Sequence, residues 1–149
     1  MEIENIHATT VAIEGRAVLI TGDSGSGKSD LALRLITDKN AVLIADDRTL
    51  IYQKNGVLWG RCPQNIQGLL EVRGVGICNF PYLESAPVSL IVKLVKSLKE
   101  ISRLPDPLTV ELQKSIVPCF KLYPFENSAP QKVCLMLQKY CRNESAKLT

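Results

Sequence analysis

The sequence predicts an α/β fold in which a mixed β-sheet is flanked by helices and carries a phosphate-binding loop. Two observations support this prediction. An apolar run, Ala17–Thr21, leads directly into Gly22–Ser29, which fits the pattern G-x-x-x-x-G-K-[ST]. Apolar residues at i,i+4 spacing follow this segment, and a second short apolar run comes after them. Strand, glycine-rich loop, helix and strand in this order are typical of α/β folds.

Size and composition indicate one globular domain. The chain has 149 residues, a usual domain length, and we expect a single domain over residues 1–149 with a flexible tail at 142–149. A net charge of +3 is too small to predict a nucleic-acid groove. Five cysteines without a C-x-x-C pair, together with one histidine, argue against a zinc cluster and favour reduced cysteines in a cytoplasmic protein.

The ends and apolar runs of the sequence predict no membrane association. The N-terminus, Met1–Glu4, is acidic and leads into no apolar signal segment. No uncharged apolar run reaches the roughly 18 residues that a membrane-spanning helix needs. We therefore expect a soluble, unsecreted protein.

The first elements follow from local patterns. Val11–Ile13 and Ala17–Thr21 are two strands joined at the turn Glu14–Arg16, so a hairpin leads into the loop. A helix is expected from Lys28 to about Thr37. The continuous apolar run Ala41–Ala45 predicts a buried strand. We expect this strand to form a parallel pair, with a right-handed crossover, with the strand before the loop.

The remaining chain is richer in strand signals. Its expected elements are a hairpin from Thr49 to Trp59 with a turn at Lys54–Gly56, a strand at Val88–Val95, a proline-containing loop at Arg103–Pro107, a strand at Val117–Tyr123 and a helix at Ala129–Tyr140. Pro118 should confine the last strand to an edge or to a late start, because proline has no backbone donor for a sheet.

The glycine-rich segment has the chemistry of a triphosphate site. Its expected binding residues are Gly22, Asp23, Ser24, Gly25, Ser26, Gly27, Lys28 and Ser29. Glycines let successive N–H groups face phosphate oxygens, and the N-terminus of the following helix adds partial positive charge. We expect Lys28 to reach the β and γ phosphates and Ser29 to bind Mg²⁺. A Gly/Ser turn without a ligand is the alternative.

Two adjacent carboxylates, Asp46 and Asp47, follow the buried strand. The carboxyl end of a strand beside a phosphate loop is where α/β sheets bind ligands, so both should face the γ-phosphate. One carboxylate can orient Mg²⁺ or its waters while the other accepts a proton from an attacking hydroxyl. The alternative is a solvated turn or a helix cap.

Two further groups have weaker signals. Glu71–Ile77 combines an acid, a base and two glycines, a composition suited to close backbone approach to phosphate. His7 is a candidate for proton transfer or for orienting a carboxylate, although a lone histidine near a terminus is more often structural.

Taken together, these residues resemble the catalytic domain of the HPr kinase/phosphorylase family, bacterial enzymes that act on a serine of the phosphocarrier protein HPr. Four ordered blocks support the resemblance. They are His7 fifteen residues before Gly22, the loop Gly22–Ser29, the block Ala45–Arg48, and Glu71–Ile77, which matches a Glu-x-Arg-Gly-x-Gly-Ile signature. The last block is specific, because ordinary phosphate-loop proteins lack it.

The resemblance implies roles for individual residues. Asp47 would be the general base towards the substrate serine and the general acid in the reverse reaction, and His7 and Lys28 would assist at the phosphoryl group. Ser29 and Glu71 would be associated with Mg²⁺, with Asp46 a further candidate, and Arg103 would match a later active-site arginine. The family further implies ATP as donor, HPr as partner and a homo-oligomer, a hexamer in longer members.

Two departures from the family affect these expectations. The chain starts close to the expected catalytic histidine, as in short forms from α-proteobacteria. It has Pro124–Pro130 where longer members have a Pro-Val-Arg-Pro-Gly-Arg-Asn type of segment linked to dephosphorylation, so kinase activity is the safer expectation. A small-molecule kinase and a non-enzymatic nucleotide sensor remain alternatives.

Overall fold

The computed structural model describes residues 1–141, so the tail predicted at 142–149 lies outside the described residues. Within them lie two α-helices, α1 (Lys28–Lys39) and α2 (Ala129–Tyr140), and short 3₁₀ helices at Gln64–Ile66 and Leu98–Glu100. The eleven strands of this part are β1 (Ile3–His7), β2 (Thr9–Ile13), β3 (Arg16–Thr21), β4 (Val42–Ala45), β5 (Arg48–Lys54), β6 (Val57–Arg61), β7 (Leu69–Val72), β8 (Gly76–Asn79), β9 (Ser85–Leu94), β10 (Leu108–Leu112) and β11 (Ser115–Leu122).

Nine of these strands form one mixed sheet, which confirms the predicted fold class. Its main path runs β1-β5-β6-β9-β3-β2-β4, while β10 and β11 branch from it and β7 pairs only with β8. Strand β9 is the centre of the sheet. It pairs in parallel with β3 and with β11, and antiparallel with β6 through Ser85–Pro87.

The predicted parallel pair between β3 and β4 is wrong. Strand β2 lies between them and pairs antiparallel with both, so β3 and β4 point the same way without touching. The physical reason is that each strand has only two edges. One edge of β3 is taken by its hairpin partner β2 and the other by β9, so the crossover through α1 delivers β4 to the free edge of β2.

Other local predictions are confirmed. The turn between β5 and β6 has Asn55 at φ 53° and Gly56 at φ 77°, the two left-handed conformations that a tight type I′ hairpin requires. Helix α2 has the predicted bounds, and α1 extends to Lys39, two residues beyond the prediction. Strand β11 begins at Ser115, before Pro118, so the predicted late start applies only to its pairing with β9, which begins at Cys119; Pro118 pairs with β10 alone.

Both helices pack on the sheet and hold the loop before α1 in place. Leu31 and Leu35 of α1 and Val133 and Leu137 of α2 are almost fully buried in one apolar cluster with side chains of the strands. Each such side chain contributes roughly 1.5–3 kcal/mol by leaving water. A second apolar cluster includes Leu19 and joins β3 to β5, β6 and β11. No helix within residues 1–141 is long and apolar enough to cross a membrane.

Candidate active site

The segment Gly22–Ser29 leaves the end of β3 and turns into the N-terminus of α1. Gly25 at φ 79° and Gly27 at φ 103° adopt left-handed conformations that other residues reach only with strain. Gly22 meets a different constraint, because a Cβ there would come within 2.6 Å of Ser26 Oγ. The glycines are therefore required by the backbone path, which leaves the first N–H groups of α1 free for an anion.

Lys28 is buried, with 6% of its surface exposed, although it carries a charge. Its Nζ donates 3.0 Å hydrogen bonds to the carbonyl oxygens of Gly22 and Asp23. These two bonds bring the ammonium back over the loop, and an ammonium has three donors in all. One donor thus stays available for a phosphate oxygen without breaking either bond.

Asp46, at the end of β4, holds three elements together. Its Oδ1 accepts from Ser29 Oγ at 2.6 Å and from Thr9 Oγ1 at 3.1 Å, and its Oδ2 accepts from the backbone N–H of Glu71 at 3.0 Å. These donors come from α1, β2 and β7, respectively. The carboxylate therefore fixes the start of α1 and the β7–β8 hairpin relative to the sheet.

Asp47 has a different environment from its neighbour. It lies at φ 65° in a tight turn in which Arg48 N donates to Asp46 O at 2.6 Å, a conformation that costs of order 1–3 kcal/mol. Nε2 of His7 donates to Oδ1 of Asp47 at 2.6 Å, and the Asp47 side chain is 62% exposed. The backbone strain turns this carboxylate out of the sheet, where His7 orients it.

Thr9 connects the two carboxylates. Its hydroxyl is fully buried, donates to Asp46 Oδ1, and accepts from the backbone N–H of Asp47 at 3.0 Å. One side chain thus fixes both the orientation of Asp46 and the backbone at Asp47. Thr9 was not predicted from the sequence; its signal was a polar pair, Thr9-Thr10, at the start of an otherwise apolar strand.

The β7–β8 hairpin forms one wall of a cleft opposite the loop. The turn of this hairpin contains Arg73, and both Glu71 and Arg73 line a cleft of about 940 Å³. Lys28, Ser29 and both carboxylates line the same cleft. A cleft of this size fits a nucleotide, and its walls carry both cationic and carboxylate groups.

The oxygen donors in the cleft fit Mg²⁺. Ser29 Oγ and Asp46 Oδ1 are 2.6 Å apart, and hydroxyl and carboxylate oxygens are ligands that this cation takes. Residues 1–141 contain no group of three or more His, Cys, Asp or Glu side chains that could hold a metal. Mg²⁺ is usually held by one or two protein carboxylates and fills the rest of its shell with phosphate oxygens and water. Ser29 and Asp46 are the residues that would hold it, with Glu71 on the cleft wall.

Most of the residues predicted for the site lie together, with one exception. The loop, Asp46, Asp47 and Glu71 line the cleft or contact residues that do, and His7 contacts Asp47. Arg103 does not line this cleft; it is exposed in the segment between the second 3₁₀ helix and β10. The role expected for Arg103 stays a prediction, and the local geometry adds nothing to it.

The cysteines have no place in this chemistry. All five are free thiols, and three of them, Cys62, Cys119 and Cys141, are buried. Burial, together with a smaller effect of the negative charge of Asp46, raises the pKa of Cys62 to about 11. Such a thiol stays protonated and behaves as a small apolar side chain.

Comparison with known proteins agrees with this geometry. A curated HPr kinase/phosphorylase from Acidovorax sp. is 37% identical over 93% of this chain and 46% of its own length. The one from Streptococcus thermophilus is 45% identical over 57% of this chain and 28% of its own length. The chain thus spans less than half the length of these relatives. A solved structure, the HPr(Ser) kinase/phosphatase from Coxiella burnetii, superposes with a TM-score of 0.80 at 28% identity, covering 92% of this chain and 90% of that one.

A family model described as the HPr serine kinase C-terminal domain matches residues 1–117, which include the loop, both carboxylates and the β7–β8 hairpin. The match confirms the resemblance noted from the four sequence blocks. The chain belongs to the HPr serine kinase C-terminal domain family.

Proposed function

We propose that this chain is an ATP-dependent protein-serine kinase that phosphorylates the phosphocarrier protein HPr. The observation that carries the proposal is that the two adjacent carboxylates have different environments. Asp46 is engaged by three donors, whereas Asp47 is exposed in the cleft and oriented by His7. The names of the curated relatives and of the Coxiella burnetii structure support HPr as the acceptor.

In the proposed reaction the triphosphate lies along Gly22–Ser29, with the β and γ phosphates near Lys28. When bound, Mg²⁺ neutralises charge on the phosphate oxygens. Asp47 accepts the proton of the HPr serine hydroxyl while the serine oxygen forms a bond to the γ-phosphorus. The bond between that phosphorus and the bridging oxygen of ADP breaks, and Lys28 stabilises the charge that spreads over the transferring group.

His7 fits the role of orienting Asp47 rather than acting on its own. A hydrogen bond from Nε2 to Oδ1 holds one carboxylate oxygen, and among the hydrogen bonds of residues 1–141 Oδ2 takes part in none. The oxygen that accepts the serine proton is then Oδ2. A positively charged group nearby, such as Arg73 on the cleft wall, would complement the phosphoryl oxygens.

The test is phosphotransfer from ATP to purified HPr by the wild-type protein and by Asp47→Asn. We expect turnover to fall about 10²–10⁴-fold, the usual contribution of general-base catalysis, while ATP binding is retained. Asp38→Asn, at the far end of α1 and exposed, is a matched control that should leave turnover unchanged. Transfer at the wild-type rate by Asp47→Asn would refute the assignment of the base.

The same preparation separates the alternatives. With labelled ATP, transfer of the label to a metabolite pool but not to HPr would indicate a small-molecule kinase. Binding of ATP without turnover would indicate a nucleotide sensor. Incubating phosphorylated HPr with inorganic phosphate and measuring pyrophosphate tests phosphorolysis. Because the Pro124–Pro130 segment differs from the one linked to that reaction, we propose kinase activity as the main reaction.

Three further predictions belong with this proposal. A single domain over the whole chain, a cytoplasmic location and a homo-oligomer, hexameric by the family resemblance, stay predictions. Light scattering coupled to size-exclusion chromatography measures the oligomer, and limited proteolysis tests whether one stable unit is protected.

A further inference from the structure

One aromatic ring on the wall of the cleft is largely exposed. Phe125 follows β11, lines the same cleft as the loop, and leaves 59% of its surface exposed. Its ring packs against Gly27, where an added Cβ would lie 3.2 Å from the ring Cζ. The ring therefore touches the loop directly and presents the rest of its surface to whatever occupies the cleft.

The segment that carries Phe125 is anchored on both sides of it. The Arg34 guanidinium donates to the carbonyl oxygens of Pro124 and Glu126, and Lys132 pairs with the Glu126 carboxylate at 2.7 Å. The ring itself meets Tyr123 edge to face, with centroids 5.7 Å apart. The backbone on both sides of the ring is thus held in place before a ligand binds, which favours preorganised binding.

Ser29 and the segment that carries Phe125 lie on different flanks of α1. Because 3.6 residues make one helical turn, Ser29 and Arg34 project about 140° apart around α1. Ser29 faces Asp46 on one flank, and Arg34 holds the Pro124–Glu126 segment on the other. A triphosphate whose terminal phosphate lies at the carboxylates must run across the N-terminus of α1, so its nucleoside emerges on the flank of Phe125.

We propose that Phe125 is the platform on which the base of the nucleotide stacks. This inference rests on the proposed function, because it takes ATP as the donor. A phenyl ring cannot form hydrogen bonds with the edge of a base. Stacking on it therefore tolerates any base, because every base has a π-face. The platform thus contributes affinity for adenine and guanine nucleotides alike.

The test compares a ligand that has a base with one that lacks it. Binding of ATP, of GTP and of inorganic triphosphate, each with Mg²⁺, is measured by calorimetry for the wild type and for Phe125→Ala. Loss of one stacked base costs roughly 1–3 kcal/mol, which corresponds to roughly 5- to 150-fold in affinity. We expect ATP and GTP to weaken by such a factor, about 10-fold, while inorganic triphosphate binds as before.

Two variants complete the design. Phe125→Tyr keeps an aromatic face and should retain the affinity for ATP. Leu135→Ala truncates another apolar side chain that is 59% exposed, on α2, and should change none of the three affinities. An effect through the fold of the loop would weaken inorganic triphosphate as much as ATP, and that result would overturn the inference.

The remaining outcomes are distinguishable. Unchanged ATP affinity in Phe125→Ala, or a change confined to the KM for HPr, would also overturn it, the latter indicating a protein-docking role for the ring. If ATP binding depends on Phe125 as expected but no phosphate reaches HPr, the stacking inference stands and the proposed kinase function fails.

Discussion

Replacing Thr9 by valine removes one hydroxyl while keeping the shape of a fully buried side chain. Two hydrogen bonds disappear, one donated to Asp46 Oδ1 at 3.1 Å and one accepted from Asp47 N at 3.0 Å. A bond to a charged group contributes about 1.5–3 kcal/mol, and loss of the only partner of an N–H costs about 1–3 kcal/mol, towards the lower value at a part-buried site such as Asp47 N. Since Asp46 keeps its bonds to Ser29 and Glu71, we expect the lower half of the combined range, about 2.5–4 kcal/mol of unfolding free energy.

The effect of Thr9→Val on catalysis should be more informative than its effect on stability. The strained turn at Asp47 loses one of the bonds that hold it, and a misplacement of about 1 Å in a catalytic group can cost about 100-fold in rate. We expect kcat for phosphotransfer to fall about 10- to 100-fold with little change in the KM for ATP. Urea unfolding gives the stability, and steady-state kinetics at a temperature where the variant is folded give the rate.

The neighbouring Thr10 offers a matched control. It is equally buried in β2, but its hydroxyl lies 2.7 Å from that of Thr49, which itself donates to Ala8 O, so neither carboxylate is involved. Thr10→Val should lower stability by about 1 kcal/mol and leave kcat unchanged. Wild-type kcat in Thr9→Val, or an equal loss of kcat in Thr10→Val, would refute the reasoning.

Two further predictions concern groups around the same cleft. Lys28→Met removes the donor to the carbonyl oxygens of Gly22 and Asp23. It should weaken ATP binding at least about 10-fold and slow phosphotransfer, because a charge-assisted bond to phosphate is lost. Calorimetry showing wild-type affinity would contradict this. With a pKa of about 11, only about one Cys62 thiol in a thousand is ionised at pH 8. Because the thiolate is the reactive form, brief iodoacetamide treatment should leave Cys62 unmodified in the native protein and alkylate it in urea. Alkylation of native Cys62 at the rate of the unfolded chain, measured by peptide mass spectrometry, would show that the burial argument is wrong.

Elements that depend on neighbours in sequence were predictable. The turn Asn55-Gly56 and helix α2 are where local pattern and turn chemistry place them. Four strands, β1, β7, β8 and β10, were not predicted, because each has only four or five residues and three of them, β1, β8 and β10, are largely exposed. Their pairing partners lie elsewhere in the chain or across a short turn, and local sequence carries little information about such contacts.

The site likewise combines residues that a local motif predicts with contacts that depend on the whole fold. The sequence alone determined the phosphate-binding loop, because G-x-x-x-x-G-K-[ST] requires particular glycines and a particular lysine within eight consecutive residues. It also marked His7, Asp46, Asp47 and Glu71 as candidates. Only the tertiary structure decided that β2 separates β3 from β4 and that Asp46 is engaged by Thr9, Ser29 and Glu71 while Asp47 faces His7. These contacts join residues 17 to 40 positions apart, and which edges and donors remain free for them depends on how the whole sheet assembles.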